Sequence, residues 1–221
     1  GGSAMRYQPE WAPDGKRIAF SDKDGKVYIL TLADKKVTEI ADSPRGQIRD
    51  YTWSPRGNYL AFTMPNSNQF ASVYVWSAGD NQVRRVTDEY FNAYNPAWDP
   101  QGNCLYFLSD REFAPQLSSI EFNYALNRPT YIYAMTLRKD AKHPFPPESD
   151  EVTISKALDE AAKPAGSPAA EKPAEAPAEP KPETPAAAPK PPAPLVIDFD
   201  GISNRVVRVP LGADNYGSLT A

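Results

Sequence analysis

Histidine and cysteine occur once each in the 221 residues, as His143 and Cys104. One cysteine excludes an internal disulfide framework, and this pair leaves no His/Cys cluster of metal-ligand spacing. A Gly-x-Ser-x-Gly nucleophile elbow and a glycine-rich phosphate loop are both absent. His143 stands in the polar stretch Lys142–Pro147, with no rigid neighbour to orient an imidazole for Ser-His-Asp chemistry. No catalytic residue, cofactor or metal is expected in the chain. No apolar run approaches the ~18 residues of a membrane-spanning helix, so no membrane partner is expected. The net charge is −4, with acidic and basic residues mixed and no basic run. That balance weighs against nucleic acid as a partner.

Proline, by contrast, is plentiful at 24 residues and unevenly placed. Eleven prolines and ten alanines fall within Pro164–Pro194. From Asp159 to Pro194 no side chain exceeds alanine in apolar character. Such a segment buries too little surface to offset its ordering entropy. Residues 141–194 are therefore expected to be a disordered insertion. Gly1–Met5 reads as a cloning remnant and is left out of fold reasoning.

What organises the rest is a phrase that occurs three times: PEWAPDGKRIAF, YTWSPRGNYLAF and PAWDPQGNCLYF. Each copy has Trp, Pro and Gly at alternate positions, followed by an aliphatic-x-Phe strand core. The phrase sets Trp11, Pro13 and Gly15 in register with Trp53, Pro55 and Gly57, and with Trp98, Pro100 and Gly102. A period of roughly 40–45 residues marks the four-stranded blades of a propeller. Pro presets a turn, Gly admits positive φ, and Trp is expected to pack between neighbouring sheets.

The expected class is all-β: a partial propeller of about three four-stranded antiparallel blades. Blade one covers 6–43, blade two 44–88, and blade three 89–140 for its first three strands. A returning strand at 195–211, centred on Asn204–Pro210, would complete blade three across the insertion, because loop closure costs grow only logarithmically with length. Residues 212–221 read as the start of a further, truncated blade. Closed propellers have four to eight blades, so this open arc is expected to expose apolar end faces and to self-associate.

Function in such a fold belongs to what the inner strands surround. Arg49, Asp50, Asn92 and Tyr94 precede the second and third repeat tryptophans and are the candidates for facing a central channel. Asp22-x-Asp24-Gly25 and Asp198-x-Asp200-Gly201 echo the opening of a calcium loop but lack its later ligands. Both read as turns.

The repeat phrase resembles the TolB-type propeller repeat. A narrower resemblance lies in the irregular stretches Ser109–Val152 and Ile197–Tyr216, which look like the tricorn protease family. It implies a segment of the family's second, seven-bladed propeller. The parent would be a serine peptidase in which that propeller gates oligopeptides toward a separate catalytic region. The implied partners are the remaining blades, that catalytic region and the parent's oligopeptide substrates. The implied compartment is the cytoplasm, with the periplasm as the alternative. A TolB-like protein-interaction propeller, or the propeller of a prolyl-oligopeptidase or dipeptidyl-peptidase type enzyme, stands as the competing reading.

Overall fold

A computed structural model describes residues 5–43, 45–112, 116–117, 124–125, 129–146 and 195–220. Blade one is built from β1 (Arg6–Trp11), β2 (Arg17–Asp22), β3 (Lys26–Thr31) and β4 (Lys36–Asp42). Blade two follows with β5 (Thr52–Trp53), β6 (Tyr59–Pro65), β7 (Ala71–Ser77) and β8 (Gln82–Arg85). Blade three has β9 (Ala93–Trp98) and β10 (Cys104–Ser109), then a short pair, β11 (Gln116–Leu117) and β12 (Tyr124–Ala125). It closes with β13 (Tyr131–Thr136) and β14 (Val206–Arg208). Among the described residues these make three four-stranded antiparallel sheets in meander order and one two-stranded sheet.

The repeated phrase builds the same turn three times. Gly15, Gly57 and Gly102 hold φ of 67°, 67° and 79°. Their N–H groups donate to the carbonyls of Ala12, Ser54 and Asp99 at 2.9, 2.8 and 2.8 Å. Glycine takes that left-handed geometry without the Cβ penalty other residues meet.

Strand register then aligns a row of side chains across each sheet. In blade two the row runs Trp53, Leu60, Trp76, Val83. In blade three it runs Trp98, Leu105, Met135, Val206. The blade-two row packs on Ala19, Val27 and Ile29 of blade one. The blade-three row packs on Ala61, Val73 and Val75 of blade two. A large row thus meets a face of small and β-branched residues at both interfaces, and burying each large apolar side chain contributes roughly 1.5–3 kcal/mol. Beside each row lies a stacked pair: Phe20–Tyr28, Phe62–Tyr74 and Phe107–Tyr133, with ring centroids 5.3–6.0 Å apart.

Trp53 Nε1 donates to Glu10 O at 3.1 Å and Trp98 Nε1 to Thr52 O at 3.1 Å. Each indole is therefore latched to the carbonyl of the residue just before the preceding blade's tryptophan. Trp11 departs from the expected packing: it is 59% exposed, with no described blade before it.

The chain returns to blade three as expected, with a difference in form. The final strand has three residues rather than the seven of Asn204–Pro210, and a 3₁₀ helix, Ile202–Arg205, precedes it. Leu195, Ile197 and Ile202 enter the core between blades two and three. Arg205 pins this segment, donating to the carbonyls of Thr136 and Asp200 at 3.1 Å each and to that of Asp198. Polar anchoring through backbone carbonyls takes the place of strand pairing here. The expectation of a disordered insertion falls almost wholly on residues outside those described. At the far end an isolated bridge, Thr130 with Asp214, ties 212–220 to the sheet.

Candidate functional site

A cleft of about 470 Å³ opens along the first strands of all three blades. Glu10, Asp50, Thr52 and Asn95 supply its polar lining, with Pro55, Pro96 and Pro100 among its apolar walls. Ser218, Leu219 and Thr220 border the same space. Trp53 and Trp98 also line it, although each is only 5% exposed. Their indoles are committed to the interfaces between blades.

The carboxylates here are held differently. Asp50 accepts the N–H groups of Thr63 at 2.9 Å and Asn95 at 3.0 Å, and also the Thr63 hydroxyl. It binds its own blade to the next one. Glu10 is half-buried, and burial pushes its carboxyl up from the ordinary value while the Trp53 backbone N–H pulls the other way. Burial likewise raises the Tyr51 phenol, whose hydroxyl donates to Tyr7 O at 3.0 Å and to Gln8 O.

Of the four channel candidates, only Asp50 borders the cleft. Arg49 is exposed and lies over the Tyr7 ring at 4.4 Å. Asn92 accepts the Ala71 N–H at 3.0 Å and ties the approach to β9 to the start of β7. Tyr94 donates to Asp110 Oδ1 at 3.1 Å beside Thr130, with burial raising its phenol. Those three stand at the opposite end of the first strands from the Trp-Pro-Gly turns.

Glu10, Thr52 and Asn95 escaped the sequence reading, although a signal existed. Asp50 and Asn95 each lie three residues before a repeat tryptophan, so the repeat already singles out that cleft-lining position in blades two and three. Ser218–Thr220 carried no such signal.

The cleft offers hydroxyls, an amide, carboxylates and strand backbone to a ligand. His143 lies elsewhere, bordering a separate cavity of about 460 Å³ together with Cys104. Burial pushes the Cys104 thiol up to about 11, which disfavours the reactive thiolate. Asp22 spends its carboxylate on the N–H groups of Asp24 and Lys26, both at 3.0 Å, and on the Tyr28 hydroxyl. Among the described residues no group of three His, Cys, Asp or Glu is placed to hold a metal ion.

The family model of the tricorn protease second beta propeller domain matches residues 1–221. The chain belongs to that family. Tricorn protease homolog 1 of Streptomyces coelicolor is 30% identical over 137 residues, covering 62% of this chain and 13% of the relative. A putative tricorn-like protease C-terminal subunit of Sulfurisphaera tokodaii is 28% identical over 148 residues, covering 67% of this chain and 17% of that protein. The chain thus spans about an eighth to a sixth of the length of these tricorn relatives. A crystal structure of the tricorn protease superposes with a TM-score of 0.70 over 98% of this chain and 18% of that one. At 16% identity that likeness shows a shared fold.

Proposed function

We propose that this propeller segment gates the passage of oligopeptides toward the catalytic region of a tricorn-like peptidase and takes no part in the chemistry itself. The supporting observation is the cleft along β1, β5 and β9, which collects hydrogen-bonding groups from three successive blades. An extended peptide presents a donor and an acceptor at every residue. A row of side-chain and main-chain partners along inner strands therefore suits peptides of many sequences. The relatives' names, tricorn protease homolog and tricorn-like protease subunit, add the peptidase parent. On this reading the parent works in the cytoplasm, and fractionation of the native protein tests that placement.

The test of gating is kinetic and uses the full-length parent. Ser218→Trp combined with Thr220→Trp narrows the cleft at two exposed positions. The expected outcome is a fall in kcat/KM for oligopeptides of about tenfold, equivalent to ~1.4 kcal/mol of transition-state stabilisation. A small chromogenic amide should be turned over unchanged. An equal fall for both substrates, or no fall for either, would count against a gating role.

A further inference from the structure

Away from the Trp-Pro-Gly turns, two loops meet where one blade passes to the next. One joins a blade's second and third strands, and the other leads into the following blade. Between blades one and two these loops hold Lys23-Asp24-Gly25 and Arg45-Gly46-Gln47. The Ser43 N–H donates to Gly25 O at 3.0 Å and Gln47 Nε2 to Lys23 O at 3.4 Å, which ties them together.

The junction between blades two and three has the same construction but presents aromatic rings. Phe70, Tyr90 and Phe91 are 41%, 70% and 41% exposed. Asn68 Nδ2 donates to Glu89 O at 2.6 Å, and the Ala71 N–H to Asn92 Oδ1 at 3.0 Å. These two bonds bracket Phe70 on one loop and Tyr90-Phe91 on the other, so the rings share one small area. The Ser72 hydroxyl adds a third tie, to Asp88 O at 2.9 Å. The first junction closes with charged residues and glycine, so closing these loops requires no aromatic side chain. Large apolar groups left open to water mark interaction surfaces, and aromatic rings contribute most to them.

The surroundings specify the occupant. Asp88 faces Arg111 at 3.7 Å and Glu89 faces Arg85 at 2.5 Å. Arg111 in turn lies over the rings of Phe91 and Tyr133 at 5.8 and 4.7 Å. Both carboxylates beside the rings are thus paired, which suits an uncharged apolar side chain better than a lysine or a glutamate. Phe91 also leads directly into β9, whose Asn95 borders the cleft. The four residues from Phe91 to Asn95 span at most about 14 Å, the reach of four residues of an extended peptide.

We infer that Phe70, Tyr90 and Phe91 form an apolar subsite for an oligopeptide whose backbone lies in the cleft. It takes an aromatic or large aliphatic side chain about four residues along the peptide from the part held in the cleft. This inference rests on the gating reading and adds a substrate preference to it. A peptide that reaches both places gains the second contact intramolecularly, and so binds more tightly than one reaching either alone.

The test uses the full-length parent and two ten-residue peptides that differ at one position, Phe in one and Ser in the other. The unaltered parent should favour the Phe peptide in kcat/KM by about tenfold, a size usual for one apolar group. Phe70→Gln combined with Tyr90→Gln replaces two exposed rings and leaves Phe91 against Arg111. It should abolish that preference while the Ser peptide keeps its rate, which also shows that the variant folds. A preference that survives in the variant, or no preference in the unaltered parent, would overturn the subsite. The cleft variant Ser218→Trp with Thr220→Trp, measured beside it, separates the two readings. If the cleft variant slows both peptides and the ring variant slows neither, gating stands and the subsite falls. If the cleft variant slows neither, the gating reading itself falls, and the subsite with it.

Discussion

Gly15 and Gly25 both hold positive φ, at 67° and 88°, but their surroundings differ sharply. A Cβ on Gly15 would meet nothing within 4 Å, whereas one on Gly25 would lie 2.5 Å from Ser43 O and 2.8 Å from Gly46 O. Gly15→Ala should therefore cost about 1–2 kcal/mol from conformation alone. Gly25→Ala should cost roughly 1–3 kcal/mol more, because backbone must move. Denaturant unfolding midpoints at constant slope would separate the two, and equal losses would show that the Ser43–Gly46 connection yields freely. Glu10 gives a pH signature at the same scale. Burial makes its folded carboxyl hold a proton more tightly than in the unfolded chain, where its value is about 4.5. It thus adds stability below that pH, and the contribution is lost as pH rises through the raised folded value. Glu10→Gln should flatten the stability profile across that window, and an unchanged profile would argue against the burial effect. The turn residues were legible in the sequence because proline and glycine act locally. The surroundings of Arg49, Asn92 and Tyr94 were not, because loop ties and ring stacking with distant residues decide them.

Among the elements, the returning segment is the most informative. Leu195 and Ile197 are 7% and 6% exposed between two blades, and Asn58 Nδ2 donates to Leu195 O at 3.1 Å. Ile197→Ala should cost about 2–5 kcal/mol, the range for truncating a buried aliphatic residue. Arg205 reaches separate carbonyls with its planar fork, a geometry that a lysine ammonium does not reproduce. Arg205→Lys should therefore behave much like Arg205→Ala in thermal unfolding, and full rescue by lysine would mean that charge alone holds the segment. The strands of the first two blades were readable because hydrophobic alternation and turn chemistry are short-range signals. The rows that join blades were hidden. They depend on register, which shifts at bulges in β1, β4 and β9, and period alone does not reveal a bulge. The return of the chain after the insertion was visible in the renewed apolar pattern. Its anchoring by Arg205 was not, since that requires knowing which carbonyls are left without ladder partners.

For the molecule as a whole, three four-stranded blades set polar groups along one cleft at their first strands. The fold was legible from three copies of a single phrase. The cleft was only half legible, because it is formed jointly by adjacent blades and by Ser218–Thr220, far along the chain. The most direct test of a peptide path is photo-cross-linking in the full-length parent with its peptidase activity chemically blocked. Benzophenone side chains at Ser218 and Thr220 should each capture a long peptide substrate, and excess unlabelled peptide should abolish capture. The same probe at exposed Lys35, in the turn between β3 and β4, should capture little. Equal capture at Lys35 and in the cleft, or none in the cleft while the peptide still reaches the catalytic region, would contradict passage along these inner strands.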